Sequence, residues 1–388
     1  MTVIPTTKMG SVVDILSGFA FKSDSFNDSV GMPIIRIRDV VRGSSETRYQ
    51  GDFDSVYIVN DGDILVGMDG EFNTARWRGG PALLNQRVCR IKSCGGELDD
   101  GYLFHFLPGA LKRIEDATPF VTVKHLSVKD IRDIEIPLPP LAEQRRIAAI
   151  LDQAEALRAK RRYALAQLDT LTQSLFLDLF GATLQSGART SLGELTEEFR
   201  YGTSNKSAEN GYPALRIPNV VGGTLDLTDL KPVPVEEAEF RRLQLRQGDL
   251  LFVRTNGNPD FVGRCAVFEP CAVEQTGFHS SQFIYASYLI RARLRSAVIL
   301  PLFLQEFLSS GEGRRELRSR CKTSAGQFNI NTEGLATIPI PVPPLPLQRE
   351  FAAQVSAVER LKAAQRASLA KLDALFASLQ HRAFRGEL

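Results

Sequence analysis

The chain has 388 residues, of which 43% are hydrophobic, 8% aromatic and 24% charged. That length predicts roughly two to three domains, and the composition is that of an ordinary globular chain, which excludes a disordered polymer, a collagen and a small disulfide scaffold. The 47 Lys+Arg against 45 Asp+Glu leave a net charge of +2, so a polyanionic partner has to be met by local patches and not by bulk charge.

The amino-terminal stretch MTVIPTTKMGSVVD carries no basic segment leading into an apolar one, so no signal peptide is evident and a cytoplasmic chain is expected. As far as residue 130, short β-rich runs at 33–37, 55–59, 63–66 and 88–91 alternate with Gly, Asp and Asn, and 102–116 reads as a helix. Arg36 and Arg38 lie at the end of the first run, and Asp69 on the loop after 63–66. From 75 to 96 there is no acid, but there are Arg76, Arg78, Arg87, Arg90, Lys92, Gln86 and Trp77. Local basic excess suits phosphate, and Arg, Asn, Gln and Asp are side chains that read base edges. The competing reading is a solvated strand face with satisfied turn residues.

Next comes Pro137-Leu138-Pro139-Pro140-Leu141, then two residues, then Gln144-Arg145. About forty residues without proline or glycine follow, enough for a helix of roughly 60 Å, and Gly181 stands where a C-terminal stop belongs. Ile147, Leu151, Ala154, Leu165, Leu168, Leu175 and Leu179 recur at the three- and four-residue steps of a coiled-coil seam, broken by Arg158 and Arg161.

The second half repeats this plan. Residues 190–330 carry β-rich runs at 250–253, 266–268 and 283–289, and a helical patch at 302–320. Pro213–Ile217 echoes 33–37 and brings Arg216 and Asn219; Gly248-Asp249 echoes Gly62-Asp63. Arg254, Thr255 and Asn256 follow the run 250–253, as Asp69 follows 63–66. A second acid-free window, 275–305, holds Gln282, Arg291, Arg293 and Arg295, with Gln282 expected opposite Gln86. Arg314, Arg315, Arg318, Arg320 and Lys322 form a further basic cluster. Then Pro341-Val342-Pro343-Pro344-Leu345 leads, two residues on, to Gln348-Arg349, an offset of 204 from the first copy. The second helix carries Phe351, Val355, Val358, Leu369, Leu372, Leu379 and Ala383 on its seam, with Lys362 and Gln365 at the matching break and Gly386 as its stop. Matched polar breaks imply that the two helices pair with each other. The tract 339–346 resembles an SH3 ligand, but its duplicate favours a stiff connector into the helix.

No phosphate loop, G-x-G-x-x-G fingerprint, H-E-x-x-H or G-x-S-x-G occurs. Asn258-Pro259-Asp260-Phe261 resembles the N-P-P-F loop of adenine methyltransferases, but Asp260 replaces the second proline and no cofactor motif accompanies it. The five cysteines form no C-x-x-C and the four histidines are scattered, so small buried thiols are expected and no metal site. No apolar run reaches the length of a membrane span, the best two (283–290 and 297–304) being separated by Arg291, Arg293 and Arg295.

A duplicated, helix-spaced chain with the twin P-x-P-P-L-x-x-Q-R starts at 137–145 and 341–349 resembles the specificity subunits of type I restriction–modification systems. The resemblance implies an α+β fold. Two α/β target-recognition domains, 1–136 and 185–340, would be separated by two long antiparallel coiled-coil helices, 137–184 and 341–388, with an internal pseudo-twofold repeat. It further implies a non-catalytic chain that binds a bipartite site on double-stranded DNA. Two methyltransferase subunits and motor-nuclease subunits would dock on it, with S-adenosylmethionine, Mg and ATP on those partners and no cofactor or metal of its own. The alternatives are a coiled-coil scaffold tethering two domains for ligands other than DNA, and the detached specificity part of a fused methylase–nuclease. The DNA-binding candidates are Arg36, Arg38, Asp69, Arg76, Arg78, Gln86, Arg216, Asn219, Arg254, Thr255, Asn256, Gln282, Arg291 and Arg293.

Overall fold

The computed structural model describes residues 4–117, 124–186, 188–273, 276–324 and 326–388. Gln275, at the start of the second acid-free window, lies outside the described residues, as does the side chain of Cys271. The chain divides into two compact units, Met1–Ala164 with Gln365–Leu388, and Leu165–Ala364. Both are built on one plan.

In the first unit, four antiparallel strands run in the order Val13–Ser17, Val88–Ser93, Ile64–Gly67, Thr74–Arg76. Ile64, Val66, Cys89 and Ile91 turn to one face, onto the helix Asp100–Ala117 and onto Ile147 and Leu151. Leu65 and Val88 turn to the other, against Ile35, Val59, Trp77 and Leu84. A strand covered on both faces has no polar face to show, which is why 64–66 reads as a continuous apolar run after Asp63. A second sheet lies beside the first, with Met32–Ile35 parallel to Ala82–Leu84.

The second unit repeats the order as Thr196–Tyr201, Leu289–Leu294, Leu250–Val253, Cys265–Val267. Here Leu250, Phe252, Ile290 and Ala292 face Phe303 and Phe307. Leu251, Val253 and Leu289 face Phe283 and Tyr285. The parallel pair recurs as Tyr212–Leu215 with Ile284–Tyr285. Each half also enters its central sheet through the same turn: Asp63 accepts from the Asn60 amide and Asp249 from the Arg246 amide, both at 2.8 Å. Gly62 and Gly248 supply the left-handed residue, at φ 95° and 83°.

The proline starts are strands before they are helices. Glu135–Pro137 pairs with Thr6–Lys8, and Pro339–Pro341 with Arg189–Ser191, so the tract 339–346 is tied into a sheet at its start and enters the long helix at Leu345, instead of lying free as a ligand. The glutamine of each start is wholly buried. Gln144 Nε2 donates to the Glu97 and Pro139 carbonyls, and its Oε1 accepts from the Asp99 amide. Gln348 makes the same three bonds to Val298, Pro343 and Leu300. The motif is therefore a clamp between each long helix and the loop that follows its sheet.

The helices run Leu141–Ser186 and Leu345–Ala383, 46 and 39 residues, or about 69 and 58 Å at 1.5 Å per residue. Gly181 is not a stop: the first helix continues through it to Ser186, because burial of Phe176 and Phe180 and packing of Leu184 outweigh the roughly 1 kcal/mol that a helical glycine costs. Gly386 does lie just beyond the second helix, at φ 73°. Within the first unit Arg161 meets Gln365 and Arg158 meets Asp373. Within the second, Asp169 meets Lys362 and Phe180 meets Phe351. Residue numbers rise along one helix as they fall along the other, so the pairs are antiparallel. The polar breaks are two copies of one ionic group, Glu155–Arg158–Asp373 and Glu359–Lys362–Asp169, with every member displaced by 204 positions.

Ile147, Leu151, Phe351 and Val355 are buried; Leu165, Leu168, Leu175, Leu369, Leu372 and Leu379 are half-buried. The run 283–289 is not one strand but two, Ile284–Tyr285 and Leu289–Leu294, with a turn between. The patch 302–320 is likewise two helices, Pro301–Ser309 and Gly311–Ser319, because the Ser310 hydroxyl accepts from the Gly313 amide and starts the chain afresh. Cys89 and Cys265 are buried, and burial pushes both thiols up to about 12; Cys94 is exposed, contrary to expectation. Among the described residues no helix is long and apolar enough to cross a membrane, and no group of three or more His, Cys, Asp and Glu is placed to hold a metal.

Candidate nucleic-acid interface

In each unit the tight turn between the parallel strand and the central strand is held from two sides. The first is Asn85–Val88, closed by the Val88 amide on the Asn85 carbonyl at 2.9 Å; the second is Ala286–Leu289, closed in the same way at 2.9 Å. On one flank the Gln86 amide donates to Phe19, and the Ser287 amide to Thr203. On the other, the Met68 amide donates to the Arg87 carbonyl and the Arg254 amide to the Tyr288 carbonyl, while Leu126 and Ile330 bond on to Met68 and Arg254. Four remote segments thus share one ladder in both units. Its close approach demands glycine: a Cβ on Gly18 would sit 2.1 Å from the Asn85 carbonyl oxygen, and one on Gly202 2.1 Å from that of Tyr285.

The two ladders carry different side chains. In the first, Gln86 and Arg87 are exposed at the turn, and Arg87 Nη1 donates to Asp69 at 2.5 Å. His125 donates from Nδ1 to the other Asp69 oxygen at 2.6 Å, and Phe19 stands nearby, 48% exposed. In the second, Ser287 and Tyr288 occupy the turn, and Tyr288 is 59% exposed. Thr255 pairs with Asn329 where Asp69 pairs with His125. Arg254 lies over the Tyr201 ring at 4.8 Å, and Asn256 Oδ1 accepts from the Asn258 amide.

Asp69 and Gln86 therefore come together in one place, and Arg254, Thr255 and Asn256 in the corresponding one. Others do not join them. Arg291 is 1% exposed, bonded to the Arg242 and Gln244 carbonyls and paired with Glu198, so it holds the sheet and cannot reach phosphate. Its register partner is Arg90, which lies 3.7 Å from Asp14. Arg293 makes two 2.8 Å bonds to buried Asp249, which raises its pKa further. Asn219 is buried and accepts from the Arg216 amide, as Asp39 does from that of Arg36. Arg36 donates to Thr47, Arg216 to Asp229, and Arg76 to Asp100 while lying over Phe104. Gln282 is not opposite Gln86: the ladder aligns Gln86 with Ser287, and Gln282 accepts from the His279 amide before the strand begins. Arg38 and Arg78 are exposed. In the basic cluster, Arg314 binds the Asp260 and Val262 carbonyls, Arg318 pairs with Asp260, and Arg320 with Glu316. The loop 258–261 is consumed by the same contacts, with Arg264 over Phe261 at 3.7 Å.

Sequence reasoning named Arg87 only as one cation of the window 75–96, and passed over His125, Tyr288 and Phe19 as contact residues. Their signal is positional: each stands where the two half-chains align through the ladder, and no composition window reports that.

A family model described as "Type I restriction modification DNA specificity domain" matches residues 5–166. The specificity subunit of the type I restriction enzyme EcoBI from Escherichia coli is 31% identical over 98% of this chain and 85% of that protein. That of EcoKI, from Escherichia coli strain K12, is 30% identical over 74% of this chain and 65% of that one. In fold, the chain is similar to the type I restriction–modification S subunit from M. genitalium, with a TM-score of 0.58 at 17% identity over 99% of this chain and 97% of that one. The chain belongs to the specificity subunits of type I restriction–modification systems.

Proposed function

We propose that this chain, acting in the cytoplasm, recognises a bipartite site on double-stranded DNA for a type I restriction–modification complex. One half-site is set by residues 1–136 and the other by 185–340. The observation that carries this reading is the duplicated ladder, one backbone arrangement presenting Gln86, Arg87, Asp69 and His125 in one unit and Ser287, Tyr288, Thr255 and Asn329 in the other. Rigid backbone with divergent exposed side chains suits two readings of one groove. Arg254 and Asn256 border the second of these sites as further contacts, and Arg38 and Arg78 are exposed elsewhere in the first unit for phosphate. The chain does no chemistry itself; methyltransferase subunits and motor-nuclease subunits dock on it. The repeat at an offset of 204 gives each partner-facing surface a duplicate, so two methyltransferase subunits bind per chain.

Co-expression with the partner methyltransferase, followed by sequencing of methylated DNA, tests the reading. The expected product is one split motif, and replacing residues 185–340 by those of another family member should change one half only. A motif that changes in both halves contradicts the division. Mass measurement of the purified complex tests the stoichiometry, and one methyltransferase per chain at saturation would refute it.

A further inference from the structure

We propose that the second central residue of the ladder turn, Arg87 in the first unit and Tyr288 in the second, reads a base in its own half-site, and that Arg87 takes a guanine. This deepens the function proposed above and rests on it.

The two positions are the same by register. Each carbonyl accepts from the residue that follows the neighbouring strand, Met68 or Arg254, and each turn is closed by the same bond. The backbone at both is fixed on either side, so the side chain is delivered from a rigid base with little ordering left to lose. Each is exposed at its turn, Arg87 with 54% of its side chain accessible and Tyr288 59% exposed. The arginines with a structural task in this sheet are covered instead: Arg291 is 1% exposed and Arg293 is locked on Asp249.

Arg87 is also aimed. Asp69, only 17% exposed, takes one Nη1 bond from it while His125 holds the other carboxylate oxygen. One donor of five is used, and a guanidinium fixed at one corner still offers a pair of N–H groups matching guanine O6 and N7. Asp69 is then a positioning residue. Tyr288 has no such fork; its ring and single hydroxyl suit a different base, as two unlike half-sites require.

The rival is that Arg87 grips a phosphate. The experiment uses the full chain in complex with its methyltransferase subunits, and reads the methylated motif together with binding across a salt series. Arg87→Ala should relax one position of one half-site, with about 10- to 100-fold loss of discrimination there, and Tyr288→Ala should relax a position in the other. Arg87→Lys keeps the charge and loses the fork; it should relax the same position as Arg87→Ala with the salt slope unchanged. If Arg87→Ala binds all sequences more weakly, with a shallower salt slope and an intact motif, the residue meets phosphate and the proposal fails. It also fails if both alanine variants relax the same half-site. Should Arg87→Ala abolish methylation, Arg87→Lys decides, and an intact motif there overturns the assignment. Failure of the underlying function looks different: the unmutated complex would methylate no split motif at all.

Discussion

Gln144 and Gln348 show what a single buried side chain does in this chain. Each satisfies two carbonyls and one amide, and the bonds are the same in both units. Gln144→Ala or Gln348→Ala strands those groups away from water. The expected cost is about 1–3 kcal/mol per site, seen as a lowered midpoint in denaturant titration. Glu198 tests the pair that removed Arg291 from the interface. Hydrogen bonding from Arg200, with Arg291 adding to it, holds its carboxyl below the usual range. A lowered folded pKa means the stabilisation is complete above the unfolded value of about 4.3 and is lost as pH falls through the folded one. Glu198→Gln should destabilise the chain at neutral pH by about 1–3 kcal/mol, discounted for the partial exposure of Glu198. It should also flatten the acid limb of a melting-temperature profile taken from pH 7 to 3. An unchanged acid limb would mean that other carboxylates govern it. This pair also explains why Arg291 and Arg293 were misread from sequence. A window free of acids looks basic, but the acids that neutralise it come from elsewhere in the chain, Glu198 from the neighbouring strand and Asp249 from the turn before Leu250–Val253.

At the scale of elements, the seam was legible and its depth was not. Three- and four-residue steps identify which side of a helix is covered. They cannot say by how much, because that depends on whether a sheet and a further helix lie over the same turn. Phe351 is wholly buried among Phe176, Phe180 and Phe303, whereas Leu372 is half-buried on the same pattern. Phe351→Ala should cost about 3–5 kcal/mol, and Leu372→Ala clearly less. Equal losses in denaturant titrations would show that the seam is uniform. The short elements were legible where both faces are buried, as at 250–253, and misjudged where a turn interrupts an apolar run. The segment 283–289 is the telling case: the interruption at Ala286–Leu289 carries Tyr288, and it hid as part of a strand because Ala, Ser and Tyr are unremarkable in one.

At the scale of the whole chain, the repeat at an offset of 204 predicted the architecture, since duplicated sequence folds into duplicated units whatever its fold. What the repeat leaves open is whether helix length sets the gap between half-sites. Each long helix gives one portion to each unit, dividing at Ala164/Leu165 and Ala364/Gln365. An insertion in the first helix alone, after Leu157, would split Arg158 from Glu155 and disturb one ionic group. Paired insertions after Ala164 and Ala364 leave both groups, Glu155–Arg158–Asp373 and Glu359–Lys362–Asp169, within their own units. Four residues in each helix add about 6 Å and turn the face by about 40° beyond a full circle, so the seam is nearly kept. Two residues in each add about 3 Å but turn it by about 200°, which sets apolar positions against solvent and should abolish assembly. DNA rises about 3.4 Å per base pair along each strand, so the four-residue variant should methylate the same bases with an unread spacer longer by one to two base pairs. Sequencing of its methylated sites checks this directly. An unchanged spacer would assign the distance to the recognition domains and leave the helices as docking surfaces for the partners.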